Sequence, residues 1–105
     1  MINRWLLVFA LAGIPLLSAK TYDLSLTAPA VVHNLHLRAG QYRLKIEGSQ
    51  VIFTDEDGNS VQTDVKVEQA NKKFDDTEVE TAKIAGTDHI KEIRLHGTKM
   101  ELEFQ

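Results

Sequence analysis

Cysteine is absent from the 105 residues of this sequence, and its absence limits both stability and chemistry. Small domains outside the cytoplasm are often held together by disulfides, which this chain cannot form. Thiol catalysis is excluded for the same reason, as is a lipid anchor on a cysteine that follows a signal peptide. The fold must therefore depend on apolar burial and strand pairing alone.

Runs of lysine and arginine are also absent. The chain contains 12 basic and 15 acidic residues, and Arg4 is the only basic residue before residue 20. Residues 20–105 therefore carry 11 basic against 15 acidic side chains, a net charge of −4 with neutral histidines. Because phosphates and anionic lipids are bound by clustered cations, we expect no nucleic-acid partner and no attachment of this domain to a membrane.

The one long apolar run lies at the N-terminus. Residues 5–17 contain no charged side chain, Arg4 precedes them, and the small residue Ala19 follows. This order is typical of a secretory signal peptide, and the run is shorter than the roughly 20 residues of a membrane-spanning helix. The sequence predicts a signal helix at residues 1–19 and a secreted or periplasmic protein.

One domain boundary, between residues 19 and 20, follows from this N-terminal pattern. Residues 20–105 suit a single β domain with one core, and no linker or repeat divides them. Leu17 stands where a small residue usually precedes the cleavage site, so an uncleaved N-terminal membrane anchor is the alternative to a cleaved signal.

Beyond residue 20, apolar residues recur at every second position, which is the period of a β-strand. The intervening positions are mostly polar, so each sheet has one dry and one wet face. We predict an all-β fold, either a single antiparallel β-sandwich or a partly open barrel, of about seven or eight short strands. Its buried residues should include Leu44, Ile46, Phe53, Val65, Leu95 and Leu102.

Turn residues fix the expected register of three neighbouring strands. A two-residue loop at 48–49 places Leu44 opposite Phe53 on the dry face. A three-residue loop that ends at a left-handed Gly58 places Phe53 opposite Val61, whereas a two-residue loop would turn that valine toward water. The core pattern therefore selects the longer loop.

A tight reversal is also expected over residues 38–41, with Leu37 opposite Tyr42. The surrounding segment, 35–48, resembles the Leu-x-x-Gly-x-Tyr hairpin of prealbumin-like and carboxypeptidase-regulatory-like β-sandwich modules, with Gly40 in the turn. With its signal and its closing hairpin at 93–97, the chain is also similar to a group of small secreted bacterial proteins of unknown function. These resemblances imply a β-sandwich and carry over no functional residues.

The four histidines are the residues most suited to a transition metal. Zinc sites need three or four converging ligands, and no spacing here matches one. His36 and His96 both lie on predicted wet faces and meet only if their strands are neighbours, while His33 points away from His36 in a regular strand. We predict no metal and no cofactor, with His36 and His96 as the only candidates for a transition metal.

Asp55, Asp57 and Asn59 occupy the first, third and fifth places of a calcium-loop pattern. The pattern then fails, because Ser60 stands where glycine is needed and Lys66 where glutamate is needed. The hairpin loop accounts for the same residues, so Asp55 and Asp57 are candidates for a weak calcium site only.

No segment carries a catalytic signature. The acidic stretch at 75–80 has no aromatic groove beside it, and no serine lies in a nucleophile elbow. We therefore expect a protein that is not an enzyme, namely a binding or structural module of the cell envelope. A small-ligand or metal carrier is the alternative, and an enzyme of unknown reaction is the third interpretation.

The edges of an open sheet are where a partner would join. The first strand, residues 22–27, carries a single charge at Asp23, whereas the last strand, residues 99–104, carries three outward charges that protect it. We expect an envelope protein or a second copy to add beside the first strand by backbone pairing.

Export is directly testable. We predict a mature protein that begins at Lys20, because Ala19 is the exit residue of the signal pattern. Intact mass spectrometry of the exported protein measures this, and a mass that retains residues 1–19 would favour the anchor instead.

Overall fold

A computed structural model describes residues 20–104, and the predicted signal peptide lies outside the described residues. None of the described residues forms a helix long and apolar enough to span a membrane. The ten strands are β1 (Thr21–Leu26), β2 (Ala30–Val32), β3 (Leu35–Leu37), β4 (Gly40–Glu47), β5 (Gln50–Asp55), β6 (Ser60–Asp64), β7 (Lys66–Gln69), β8 (Glu78–Ile84), β9 (Thr87–Arg94) and β10 (Met100–Glu103).

The strands form two sheets that pack on each other without closing into a barrel, which confirms the predicted all-β sandwich. One sheet has the order β1-β4-β5-β6. The other has the order β3-β2-β9-β10-β7. The sixth strand of this sheet, β8, lies outside that order and pairs with β9. Pairing between strands is antiparallel except where Val31 of β2 lies parallel to His89 of β9.

The structure has ten strands rather than seven or eight for two reasons. The short strand β2 carries no alternation, since all three of its residues are buried. Residues 61–67 alternate like a single strand, but the chain leaves one sheet after β6 and enters the other at β7. Val65 lies buried at this crossing, and its amide donates to the carbonyl of Ser49 at 2.9 Å.

The predicted register of β4, β5 and β6 is confirmed. Leu44 lies opposite Phe53, and Phe53 lies opposite Val61. Gly58 has a φ of 88°, the left-handed conformation that the three-residue loop requires. The apolar pattern was sufficient here because a shift by one residue would have turned every side chain to the wrong face.

The tight reversal predicted over residues 38–41 is wrong. Leu37 ends β3 in the six-stranded sheet, and β4 belongs to the four-stranded sheet, so the chain crosses between sheets at this point. The buried Tyr42 hydroxyl donates to the carbonyl of Arg38 at 2.7 Å, an arrangement known in β-sandwiches as a tyrosine corner. Burial raises the pKa of Tyr42.

A bulge in β9 explains why residues 89–91 are out of step with the strand that follows. Glu80 lies opposite Glu92 and Thr81 opposite Ile90, so Lys91 is left without a partner on β8. The extra residue keeps both Ile90 and Ile93 buried. The bulge therefore lets a single strand bury two residues that a regular alternation would place on opposite faces.

The core joins the two sheets through an aromatic cluster. Phe53 of β5 is fully buried and lies 6.3 Å, between ring centroids, from Phe104 at the end of the six-stranded sheet. Tyr42 meets Phe53 edge-on at 6.4 Å, and His33 meets Phe104 edge-on at 5.9 Å. Of the six residues predicted to be buried, Ile46 is half-buried at the margin and five are fully enclosed, namely Leu44, Phe53, Val65, Leu95 and Leu102.

Truncation at the centre of this cluster should be severe. Phe53→Ala is expected to lower the free energy of unfolding by about 3–5 kcal/mol, because it removes a buried ring and leaves a cavity. Small domains have only about 5–15 kcal/mol in total, and no disulfide supports this one. Urea denaturation measures the effect.

The neighbouring Thr54→Ala is the matched control, since that side chain lies on the outer face of the same strand. Its effect should stay within about 0.5 kcal/mol. A loss below about 1 kcal/mol for Phe53→Ala would contradict the central position of this ring in the core.

Candidate functional site

The first strand, β1, forms one margin of the four-stranded sheet. Among residues 20–104 it pairs with β4 alone, so its other side presents unpaired backbone groups. Leu24 points into the core and Asp23 points outward. Asp23 lies opposite Arg43, but the carboxylate and the guanidinium are 3.9 Å apart and the aspartate side chain is 90% exposed. This carboxylate is only loosely held.

Two recesses lie along β1. The N-terminal recess, about 160 Å³, is lined by Tyr22, Ile46 and Met100 together with Lys20. The central recess, about 300 Å³, has a mixed lining of Leu24 and Val79 with the polar residues Asp23, Ser25, Gln41 and Thr77. The sandwich is therefore incompletely filled along the margin that β1 forms.

At the opposite margin of the same sheet, β6 is contacted by a side chain of the other sheet. Thr63 of β6 forms a 2.6 Å hydrogen bond with Nδ1 of His33, which belongs to the β2–β3 turn of the other sheet. His33 adopts a φ of 54°, a conformation that few residues other than glycine accept. The bond ties the two sheets together and places a side chain over the edge of β6.

This hydroxyl–imidazole pair has the composition of a nucleophile and its base. A working pair needs a third group that orients the imidazole. The other close neighbour of the His33 ring is the Phe104 ring, at 5.9 Å, and no carboxylate hydrogen bond to His33 is present within the described part of the chain. The pair is suited to joining the sheets and not to catalysis.

The margins of the six-stranded sheet are protected by charge or by short length. β3 has only three residues, and β7 carries the exposed pair Lys66 and Glu68, whose charged atoms are 3.2 Å apart. On β8, Lys83 lies on the same face as the core residues and its amine is 2.8 Å from Asp88. The Lys83 side chain is 69% exposed, and a charge of this kind on an edge strand disfavours the addition of another strand. β1 has no comparable protection.

The last strand is not an edge, which corrects the expectation that its charges guard one. β10 lies between β9 and β7, and Glu101 has Arg94 on one side and Glu68 on the other. Its alternating glutamates instead contribute to the outer face of the six-stranded sheet. There the guanidinium of Arg94 is within 3.3 Å of Glu78, Glu80 and Glu92.

One carboxyl of this outer face is poorly compensated. Desolvation raises the pKa of Glu101, and the nearby carboxylates of Glu92 and Glu103 raise it further, whereas Arg94 opposes the shift. The described residues contain no group of three or more side chains arranged to hold a metal ion, so this face is not a metal centre.

The two candidate histidines lie apart. His36 sits on β3 opposite Val31, which in turn lies opposite His89 of β9. His96 lies just after the end of β9, seven residues beyond His89, which is roughly 20 Å at the rise of a strand. Its Nδ1 is 2.5 Å from the carbonyl oxygen of Asp75. Their strands are not neighbours, so the condition for a shared metal is not met.

Asp55 is engaged by its own loop. One carboxylate oxygen accepts the backbone amides of Asp57 at 2.9 Å and Asn59 at 2.8 Å. The hydrogen bond from the Asn59 amide lowers the pKa of Asp55, and Arg38 stands 3.7 Å from Asp55 and 3.6 Å from Asp57. These contacts explain Asp55 as part of a turn, because its carboxylate already has protein partners. Asp57, whose side chain is 73% exposed, lies beside Arg38 in the same turn.

Beside this loop lies an open cleft of about 330 Å³, whose lining includes Asp23, Arg43 and Glu56. Its Thr54 hydroxyl bonds to Ser60 at 2.8 Å. This hydrogen bond joins two hydroxyl groups, so it does not pair a nucleophile with a base. The cleft adjoins β1 on its outer side.

No protein-family model, no curated protein and no solved structure matches this chain.

Sequence reasoning missed three features of the site. The contact between His33 and Thr63 joins residues of different sheets, and nothing in a linear pattern pairs them. The grouping of carboxylates around Arg94 depends on the neighbours of β9. The recesses beside β1 depend on where β8 begins. The exposed first strand was visible in the sequence, because its composition alone shows one charge.

Glu101 gives a prediction about pH. Because its pKa is raised in the folded protein, the stability that its proton provides is present at low pH and is lost as the pH rises through the folded-state value. Glu101→Gln should therefore be more stable than the wild type at neutral pH, and its stability should fall less as the pH rises from acid. Urea denaturation between pH 4 and pH 7 measures both.

Glu56→Gln serves as the control, because Glu56 is an exposed residue of the β5–β6 loop. It should leave the pH dependence unchanged. A destabilised Glu101→Gln at neutral pH would show that attraction to Arg94 dominates over repulsion between the carboxylates.

Proposed function

We propose that the protein is a non-enzymatic binding module of the cell envelope, secreted or periplasmic, that recruits another polypeptide by backbone pairing along β1. The observation that carries this proposal is the state of the sheet margins. β1 is six residues long, pairs on one side only among residues 20–104, and carries one charge, whereas every other margin is short, charged or contacted by a side chain of the other sheet. Unpaired strand edges are the usual site of strand addition.

The location outside the cytoplasm is supported by the signal pattern of residues 1–19. The carrier alternative needs a concave and largely enclosed apolar cavity. The recesses beside β1 lie at the margin of the sandwich and open to solvent, so they fit an added chain better than a small cargo.

Photo-crosslinking in intact cells tests this function. A photoreactive amino acid placed at Ser25, on the outer face of β1, should yield a discrete adduct with an envelope protein. The same group at Gln62, on β6 at the opposite margin, is the matched control, since both residues are exposed and point outward. We expect an adduct from Ser25 and none from Gln62.

Equal labelling from both positions, or none from either, would contradict recruitment at β1. Robust turnover of an envelope substrate by the purified protein would contradict the non-enzymatic assignment. Retention in the cytoplasm would contradict the location.

A further inference from the structure

The chemistry of the chain that β1 recruits can be inferred from the two recesses and from the charge between them. This inference rests on the proposed function and narrows it. Tyr22 lies in the N-terminal recess and Leu24 in the central recess, two residues apart on one face of the strand. An added strand places side chains at the same two-residue spacing, roughly 6.6 Å. An apolar side chain would fill the N-terminal recess, and a second one, two residues away, would pack on Leu24 and Val79 in the central recess.

The residue between those two apolar positions faces the opposite way. It would lie beside Asp23, on the outer face of the sheet, because side chains alternate along a strand. Asp23 is 90% exposed and only loosely paired, so it is available to a second cation. Opposite charges on neighbouring strands are favourable and like charges are not. The best residue at this position is lysine or arginine.

The structure already contains this pattern on the paired side of β1. There Tyr22, Asp23 and Leu24 lie opposite Leu44, Arg43 and Tyr42 of β4. β4 thus presents an apolar, a basic and an apolar residue in succession. We propose that the free edge of β1 receives an extended segment with the same apolar–basic–apolar pattern, supplied by an envelope protein.

Charge disfavours a second copy as the occupant. In the register that sets Tyr22 opposite Leu24, a second β1 would place Asp23 directly against Asp23. A shift to the next register sets Asp23 opposite Ser25, which removes the repulsion but supplies no counter-charge. Both copies also carry the same net negative charge. A basic segment of another protein has neither disadvantage.

The probe for this proposal is a seven-residue peptide that copies β4, Gln-Tyr-Arg-Leu-Lys-Ile-Glu. It is titrated into 15N-labelled protein, purified in the form that the cell produces, and amide shifts are recorded by NMR. We expect shifts confined to Thr21–Leu26 of β1 and to the residues that line the two recesses, namely Ile46, Thr77, Val79 and Met100. A peptide with glutamate in place of both basic residues should bind several-fold more weakly.

Backbone pairing is tested separately from charge. Two further peptides carry N-methyl groups on alternate amides, one on the odd and one on the even positions. Because only alternate amides of a strand face a given neighbour, one peptide should lose binding and the other should keep it. Equal binding by both would overturn strand addition and indicate attraction to the acidic surface alone.

Two matched variants test the role of Asp23. Asp23→Asn should weaken binding of the basic peptide by about two- to fivefold, the size of one exposed ion pair, and should improve binding of the acidic peptide. Asp64→Asn, at an exposed aspartate that ends β6 on the far margin of the same sheet, should change neither. Dispersed amide spectra show that each variant is folded.

The remaining outcomes are also decisive. Shifts centred on the glutamate face of the six-stranded sheet, or no binding by any peptide, would overturn the proposal. Shifts of β1 that depend on protein concentration without peptide would identify a second copy as the occupant and overturn it too. If cells yield a β1 adduct whose contacting segment lacks the apolar–basic–apolar pattern, this inference fails while the proposed function stands. If the peptide binds as expected but no cellular adduct forms, the proposed function fails.

Discussion

The contact between Phe53 and Phe104 is the interaction on which the rest of the structure depends. Phe53 comes from the four-stranded sheet and Phe104 follows the last strand of the other, with ring centroids 6.3 Å apart. Neither disulfide nor metal reinforces the contact within the described chain. Tyr42 packs on one ring and His33 on the other, so this cluster positions the crossing between β3 and β4 and the contact of His33 with β6.

Faces and local registers were predictable from the sequence, whereas sheet membership was not. The loop before Val61 could be chosen because the wrong length would expose that valine. The same alternation runs through residues 61–67 without a break, although the chain changes sheets at Val65. An alternation of period two shows which face of a strand is buried. It does not show to which sheet the strand belongs, because both sheets bury that face in the same interior. Leu37 and Tyr42 were mispaired for this reason, since each faces the core from a different layer.

Candidate sites chosen by residue type fared differently from those chosen by position in a sheet. His36 and His96 were selected for their imidazoles, and the topology separates them. Asp55 was selected for its carboxylate, and the turn engages it. The first strand was selected because it carries a single charge. Folding does not change the number of charges on a strand, so this strand is weakly protected wherever it lies at a margin of a sheet. The recesses that give this margin its chemistry arise from contacts between sheets, which no local pattern encodes.

The chain passes between the two sheets three times, after β1, after β3 and after β6. β1 consequently cannot pair until β4 is present. β2 cannot pair with β9 until the chain is nearly complete, because β9 lies near its end. Pairings between residues far apart in sequence form slowly, because a long loop must close before any contact rewards it. Synthesis therefore delivers most of this polypeptide before its two layers can assemble. Such a chain stays unfolded for longer than one built from successive hairpins, and during that time its apolar strand faces are exposed to other chains.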